Sequence, residues 1–131
     1  DLSVVTRANF GNYSYNNVAS SNGYLRRATQ NGILYNLHSS SLTNGFIETT
    51  ENNLLSDHFI QESSFFKIDN ITLGYSVPNV FKEASLRIYG SMQNVLTVSD
   101  YEGLDPEITG GIDNSFYPRP QSFVLGVNID F

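Results

Sequence analysis

The chain predicts an all-β protein of antiparallel strands, and three observations carry that prediction. The last ten residues, Ser122-Phe-Val-Leu-Gly-Val-Asn-Ile-Asp-Phe131, put Phe123, Leu125, Val127, Ile129 and Phe131 at every second position. A period of two sets these on one face of a strand and Ser122, Gly126, Asn128 and Asp130 on the other, with Val124 the exception. The composition agrees: Asn, Ser, Thr, Gly, Tyr and Phe dominate, Ala is sparse and only 15% of residues are charged. Such a mixture of β-formers and turn residues disfavours helix. The third observation is punctuation, with Asn22-Gly23, Asn31-Gly32 and Asn44-Gly45 as turn signals and Pro78, Pro118 and Pro120 as strand breakers.

Taken in order, residues 2–15 alternate loosely and read as one strand: Leu2, Val4, Thr6, Ala8 and Phe10 oppose Ser3, Val5, Arg7 and Asn9. Residues 17–56 are irregular, with room for a short helix over 18–27 and loop character at Ser39-Ser-Ser41. An excursion of that length is unusual inside a compact soluble domain but ordinary between the strands of a membrane barrel. A second strand covers 64–77, where Ile71, Leu73 and Tyr75 alternate with Thr72, Gly74 and Ser76. Pro78 is expected to end it, since proline has no N–H to donate. After a compact connection over 79–85, a third strand covers 86–98, with Leu86, Ile88, Gly90 and Met92 opposite Arg87, Tyr89, Ser91 and Gln93. The phase is lost beyond Gln93, which marks Asn94 as a bulge. A second long loop over 100–121 leads to the final strand, 122–131.

Charge and cysteine content narrow the function classes. A net charge of −6, with Arg26-Arg27 as the one basic pair, excludes a surface that neutralises phosphates, so no nucleic-acid partner is expected. There is no cysteine, hence neither disulfide nor thiolate chemistry. No run approaches the ~20 apolar residues of a membrane helix, a test that barrel strands escape. The first residues, from Asp1, already read as strand, and four strands cannot close a barrel, which takes at least about eight. A longer parent protein is therefore expected.

The stretch Ser63-Ser-Phe-Phe-Lys-Ile-Asp-Asn-Ile-Thr-Leu-Gly-Tyr-Ser-Val-Pro78 resembles a segment near the C-terminus of the SusC/RagA-type TonB-dependent outer-membrane transporters of Bacteroidota. Three further stretches match that family in order. They are Leu86-Arg-Ile-Tyr89 with Gln93-Asn-Val-Leu-Thr97, the acidic loop Tyr101-Glu-Gly-Leu-Asp-Pro-Glu107, and Tyr117-Pro-Arg-Pro-Gln-Ser-Phe123. Residues 1–55 fit more loosely, as a strand and a variable extracellular loop.

The resemblance implies the C-terminal strands, about four, of a large transmembrane β-barrel of about 22 strands around an N-terminal plug. The chain would be one segment, 1–131, with strands near 2–15, 64–77, 86–98 and 122–131, and without the plug. Its implied setting is the outer membrane. Residues 16–63 and 99–121 would be extracellular and 78–85 a periplasmic turn. Implied partners are outer-membrane lipid, the rest of the barrel with its plug, a SusD-like surface lipoprotein, and TonB reached through the missing N-terminal part. The implied function is import of glycan or peptide fragments. The terminal strand, through Phe123, Leu125, Val127, Ile129 and above all Phe131, would be read by the assembly machinery that closes the barrel.

Sites of chemistry are not expected. Asp100, Glu102, Asp105 and Glu107 lack the spacing of a calcium loop and read as solvated loop charges. His38 and His58 stand apart with no thiol, which argues against a metal site. No serine occupies a nucleophile elbow, so neither catalytic residues nor a cofactor are expected. Tyr13, Tyr15, Tyr24 and Tyr35 could stack on sugar rings, against the plainer reading of girdle or loop packing. The rival reading is a soluble all-β carbohydrate-binding module of sandwich type, in which a second sheet would cover each apolar face. A split barrel chain with a purely structural role is a third.

Overall fold

The computed structural model describes residues 1–43, 56–81, 84–114 and 117–130. In chain order its elements are strands β1 (Leu2–Asn9) and β2 (Tyr13–Asn16), helix α1 (Asn17–Asn22), and a run of 3-10 turns. Strands β3 (Ile60–Glu62), β4 (Phe65–Phe81), β5 (Ala84–Ser99), β6 (Ile112–Asp113) and β7 (Ser122–Asp130) follow. The chain divides into two compact units. The first holds residues 1–9, 65–99 and 119–131, and the second holds 10–64 and 100–118.

The first unit is one sheet in the order β1-β4-β5-β7, antiparallel throughout. The connection between β4 and β5, at residues 82–83, lies outside the described residues. β5 and β7 pair without a break from Ser85↔Asp130 to Gln93↔Ser122. β4 pairs with β5 without a break from Asn70↔Gln93 to Val77↔Leu86. Its register shifts between Ile68 and Asn70, where Asp69 is an extra residue also with respect to β1. At the same level Asn94 of β5 has φ 52, so the bulge expected there is present.

Two boundaries differ from those read off the sequence. The run 2–15 is two strands in different sheets, because the chain turns at Gly11 with φ 78, a value that favours glycine. Pro78 does not end its strand: β4 continues to Phe81, with pairing interrupted after Val77↔Leu86 and resumed at Phe81↔Ala84. The missing N–H removes a ladder bond, but the extended backbone that proline favours lets the strand carry on past the gap.

The second unit is held by a small sheet in the order β3-β2-β6. β2 is antiparallel to β3 (Tyr15↔Ile60) and parallel to β6 (Tyr15↔Ile112). Asn16, at the end of β2, caps α1 by accepting from the Ala19 N–H at 2.8 Å and donates its amide to Gln61 Oε1 at 3.2 Å. Ser14 and Ser63 share a buried hydroxyl–hydroxyl bond of 2.9 Å. Phe59 and Ala19 are buried here, and Tyr15 meets the Phe59 ring edge-on at 6.2 Å. Among the described residues no helix is long and apolar enough to cross a membrane.

Candidate functional site

The functional feature is the pair of faces of the first unit's sheet. Residues paired in register share a face. One face therefore carries Leu2 and Val4 from β1, Ile71, Leu73, Tyr75 and Val77 from β4, and Leu86, Ile88 and Met92 from β5. Phe123, Leu125, Val127 and Ile129 of β7 complete it. Beyond the bulge it continues through Ala8, Phe66 and Val98, and through Thr6, Ile68 and Leu96. The extra residue Asp69 reverses the parity of β4, so Ile68 and Ile71 come to the same side. This explains why simple alternation fails across that stretch.

This apolar face is exposed. Leu125 is 89% exposed, Phe123 73% and Tyr75 71%, with Leu73, Ile88, Val127 and Ile129 also open. A face of this extent is far beyond scattered surface apolar residues and is of the kind that meets a membrane or another protein surface.

The opposite face is polar and bonded to itself. Asn70 donates to Ser91 Oγ at 2.9 Å, Thr72 donates to Asn70 Oδ1 at 2.8 Å, and the Thr72 and Ser91 hydroxyls share a bond of 2.9 Å. Arg7 grips the bulge residue Asp69 with two nitrogens, Nη2 donating to Oδ1 at 2.9 Å. Arg87 donates to the Asp1 carboxylate at 2.6 Å and lies over the Tyr89 ring. Val5, Phe65 and Val124 are apolar residues on this face, Phe65 buried with Lys67 over its ring.

Of the residues singled out on the final strand, Phe123, Leu125, Val127 and Ile129 lie together on the exposed apolar face. Phe131 lies outside the described residues.

The acidic loop differs from expectation. Glu102 and Asp100 are exposed, but Asp105 is 7% exposed and accepts from the Glu107 N–H at 2.9 Å. Beside it Tyr101 is buried and donates its hydroxyl to Asp113, itself 3% exposed, at 2.8 Å. Burial first, and then the Asp113 carboxylate through hydrogen bond and charge, raise the Tyr101 phenol above its ordinary range. This pair escaped sequence reading because Asp113 stands beyond the loop on β6, with no local pattern joining the two.

His38 caps a 3-10 turn, its Nδ1 at 2.9 Å from Ser40 Oγ, and His58 packs edge-on against Phe59. Among the described residues no three His, Cys, Asp or Glu side chains converge as metal ligands. Of the four tyrosines singled out, Tyr13 is exposed, Arg27 covers the Tyr35 ring at 4.8 Å, and Tyr15 lies against Phe59. Tyr15 also lines an open cleft of about 630 Å³ with Asn17, Asp57, Ile60, Ile112 and Asn114. Its hydroxyl oxygen is buried with no hydrogen-bond partner among the described residues.

No family model matches the chain. In sequence it is 35% identical over 138 aligned residues to the TonB-dependent receptor SusC of Bacteroides thetaiotaomicron, a match that takes in 100% of this chain and 14% of SusC. It is 29% identical over 93 residues to the TonB-dependent receptor P3 of Formosa agariphila, covering 59% of this chain and 9% of that receptor. In structure it superposes on the RagAB peptide importer in its open-open state with a TM-score of 0.67 and 26% identity, over 99% of this chain and 15% of the other. The closed-closed state of RagAB gives the same TM-score at 24% identity, over 96% of this chain and 15% of the other. The chain thus spans about a seventh of the length of these relatives.

Proposed function

The chain belongs to the SusC/RagA type of TonB-dependent receptors, and from that membership we propose that its four-stranded sheet is a stretch of outer-membrane barrel wall. The exposed apolar face meets lipid, and the polar face lines the lumen. β1 and β7, the outer strands of this sheet, pair with the remainder of the barrel. That pairing is required, since lipid offers no partner to an unpaired backbone group. The second unit is the extracellular loop layer. The whole receptor imports glycan or peptide fragments beneath a SusD-like lipoprotein, driven through TonB, and this segment contributes structure and not catalysis.

The observation that carries this reading is the apolar face itself, continuous across four strands and left open. Nine residues of β7 suit a wall that needs ~9–11 tilted residues to cross a ~25 Å apolar band. A soluble sandwich would instead bury that face beneath a second sheet.

Labels on the two faces of β7 test it in the complete receptor reconstituted in vesicles. A fluorophore on Leu125→Cys should be quenched by brominated lipid, and one on Asn128→Cys by aqueous iodide. Equal aqueous quenching at both positions would sink the proposal.

A further inference from the structure

Alternation fixes the register of the final strand only in part. A slip of one residue would turn its apolar side chains to the wrong face, but a slip of two would not. Phe123, Leu125, Val127 and Ile129 stand two apart, so after such a slip Ile88 meets Leu125 or Ile129 where it now meets Val127. Lipid cannot tell these arrangements apart.

Three features of the first unit can. Gly126 lies opposite Tyr89, and the Tyr89 ring fills the space that a Cβ at 126 would occupy. A slip of two would bring Val124 or Asn128 beneath the ring, and either side chain would force the ring to turn out of its present place. Asn94, held at φ 52 in the bulge, donates its amide to the Pro120 carbonyl at 2.9 Å. Gln121 donates its amide to the Val95 carbonyl at 3.0 Å. These two bonds join the bulge of β5 to the residues that enter β7. Two residues of strand are about 7 Å, so a slip would break both.

We infer that Asn94, Gln121 and the Tyr89–Gly126 packing form a register lock that excludes the two-residue slips the hydrophobic pattern permits. A bulge suits this task because it is a fixed irregularity that a sliding strand cannot reproduce elsewhere. The lock rests on the barrel-wall reading for its setting, though not for its geometry.

Cysteine cross-linking in the complete receptor, in isolated outer membranes, tests it; the chain has no cysteine of its own. Ile88→Cys with Val127→Cys reports the observed register, and Ile88→Cys with Leu125→Cys or Ile129→Cys reports the slipped ones. The otherwise unaltered receptor should cross-link through the first pair and leave the other two at background. With Tyr89→Ala, Asn94→Gly and Gln121→Ala combined, a slipped pair should rise to a yield comparable with that of the observed pair. Should this triple variant fail to reach the membrane, Asn94→Gly and Gln121→Ala alone, each losing one exposed hydrogen bond, should still raise a slipped pair above background. Variants that reach the membrane and cross-link only through 88 and 127 would overturn the lock and leave the barrel wall standing. Absence of the 88–127 cross-link from the otherwise unaltered receptor would overturn both.

Discussion

A phenol held away from water against a carboxylate resists ionisation, and Tyr101 is placed in that way by Asp113. Above pH about 10, where an unfolded tyrosine loses its proton, the folded second unit still keeps this one. The unfolded state then binds fewer protons, so the contribution of Tyr101 to stability is intact below that pH and declines as pH rises beyond it. Tyrosinate absorbance should show the step: the component removed by Tyr101→Phe titrates after the exposed tyrosines, and Asp113→Asn brings it to lower pH. A Tyr101 that titrates with the exposed tyrosines would contradict this. At this scale the sequence was least legible. Asp105 read as a solvated loop charge and Asp113 drew no reading at all, because the burial of both is supplied by partners that only the fold brings near. Asn94 is the counterexample, since a polar residue that interrupts an otherwise regular alternation announces a bulge by itself.

Strands were legible wherever one face is uniform. β7 and the paired stretches of β4 and β5 follow from alternation, because each strand must keep its apolar residues to one side. What could not be read was where the backbone departs from that rule. Gly11 ends β1 through its own left-handed conformation, while Pro78 leaves a gap in pairing without ending β4. The apolar face also yields a depth-dependent prediction. In the complete receptor, Leu125→Arg, near the middle of β7, should cost about 2–4 kcal/mol, whereas Ile129→Arg, near its end, should cost about 0–1 kcal/mol. Reversible unfolding in lipid would measure both. Equal costs would mean that β7 does not cross the apolar band as proposed.

For the whole molecule, the two units differ in how they treat apolar residues. The first spreads them over one open sheet face and bonds its polar ones, while the second gathers Phe59, Ala19 and Tyr101 out of solvent though it leaves Leu34, Leu42 and Leu104 exposed. Expressed alone, the 131-residue chain should therefore stay dispersed only in detergent, which sedimentation with and without detergent would check. A folded, detergent-free monomer would be incompatible with the exposed sheet face. The division into units was legible only indirectly. The long irregular stretches pointed to loops, but nothing local says that residues near 14, 61 and 112 share a sheet.

That sheet orders events in time. Tyr15 pairs with Ile112, 112 − 15 = 97 residues further along, and it is β6 that fills the second side of β2. Contacts so distant in sequence carry a large loop-closure cost and form slowly. β2 can match β3 with no residue beyond 62, yet the strand that completes their sheet stands after the whole of β4 and β5. The second unit is therefore completed late in folding, and any chain cut short before Ile112 lacks its third strand.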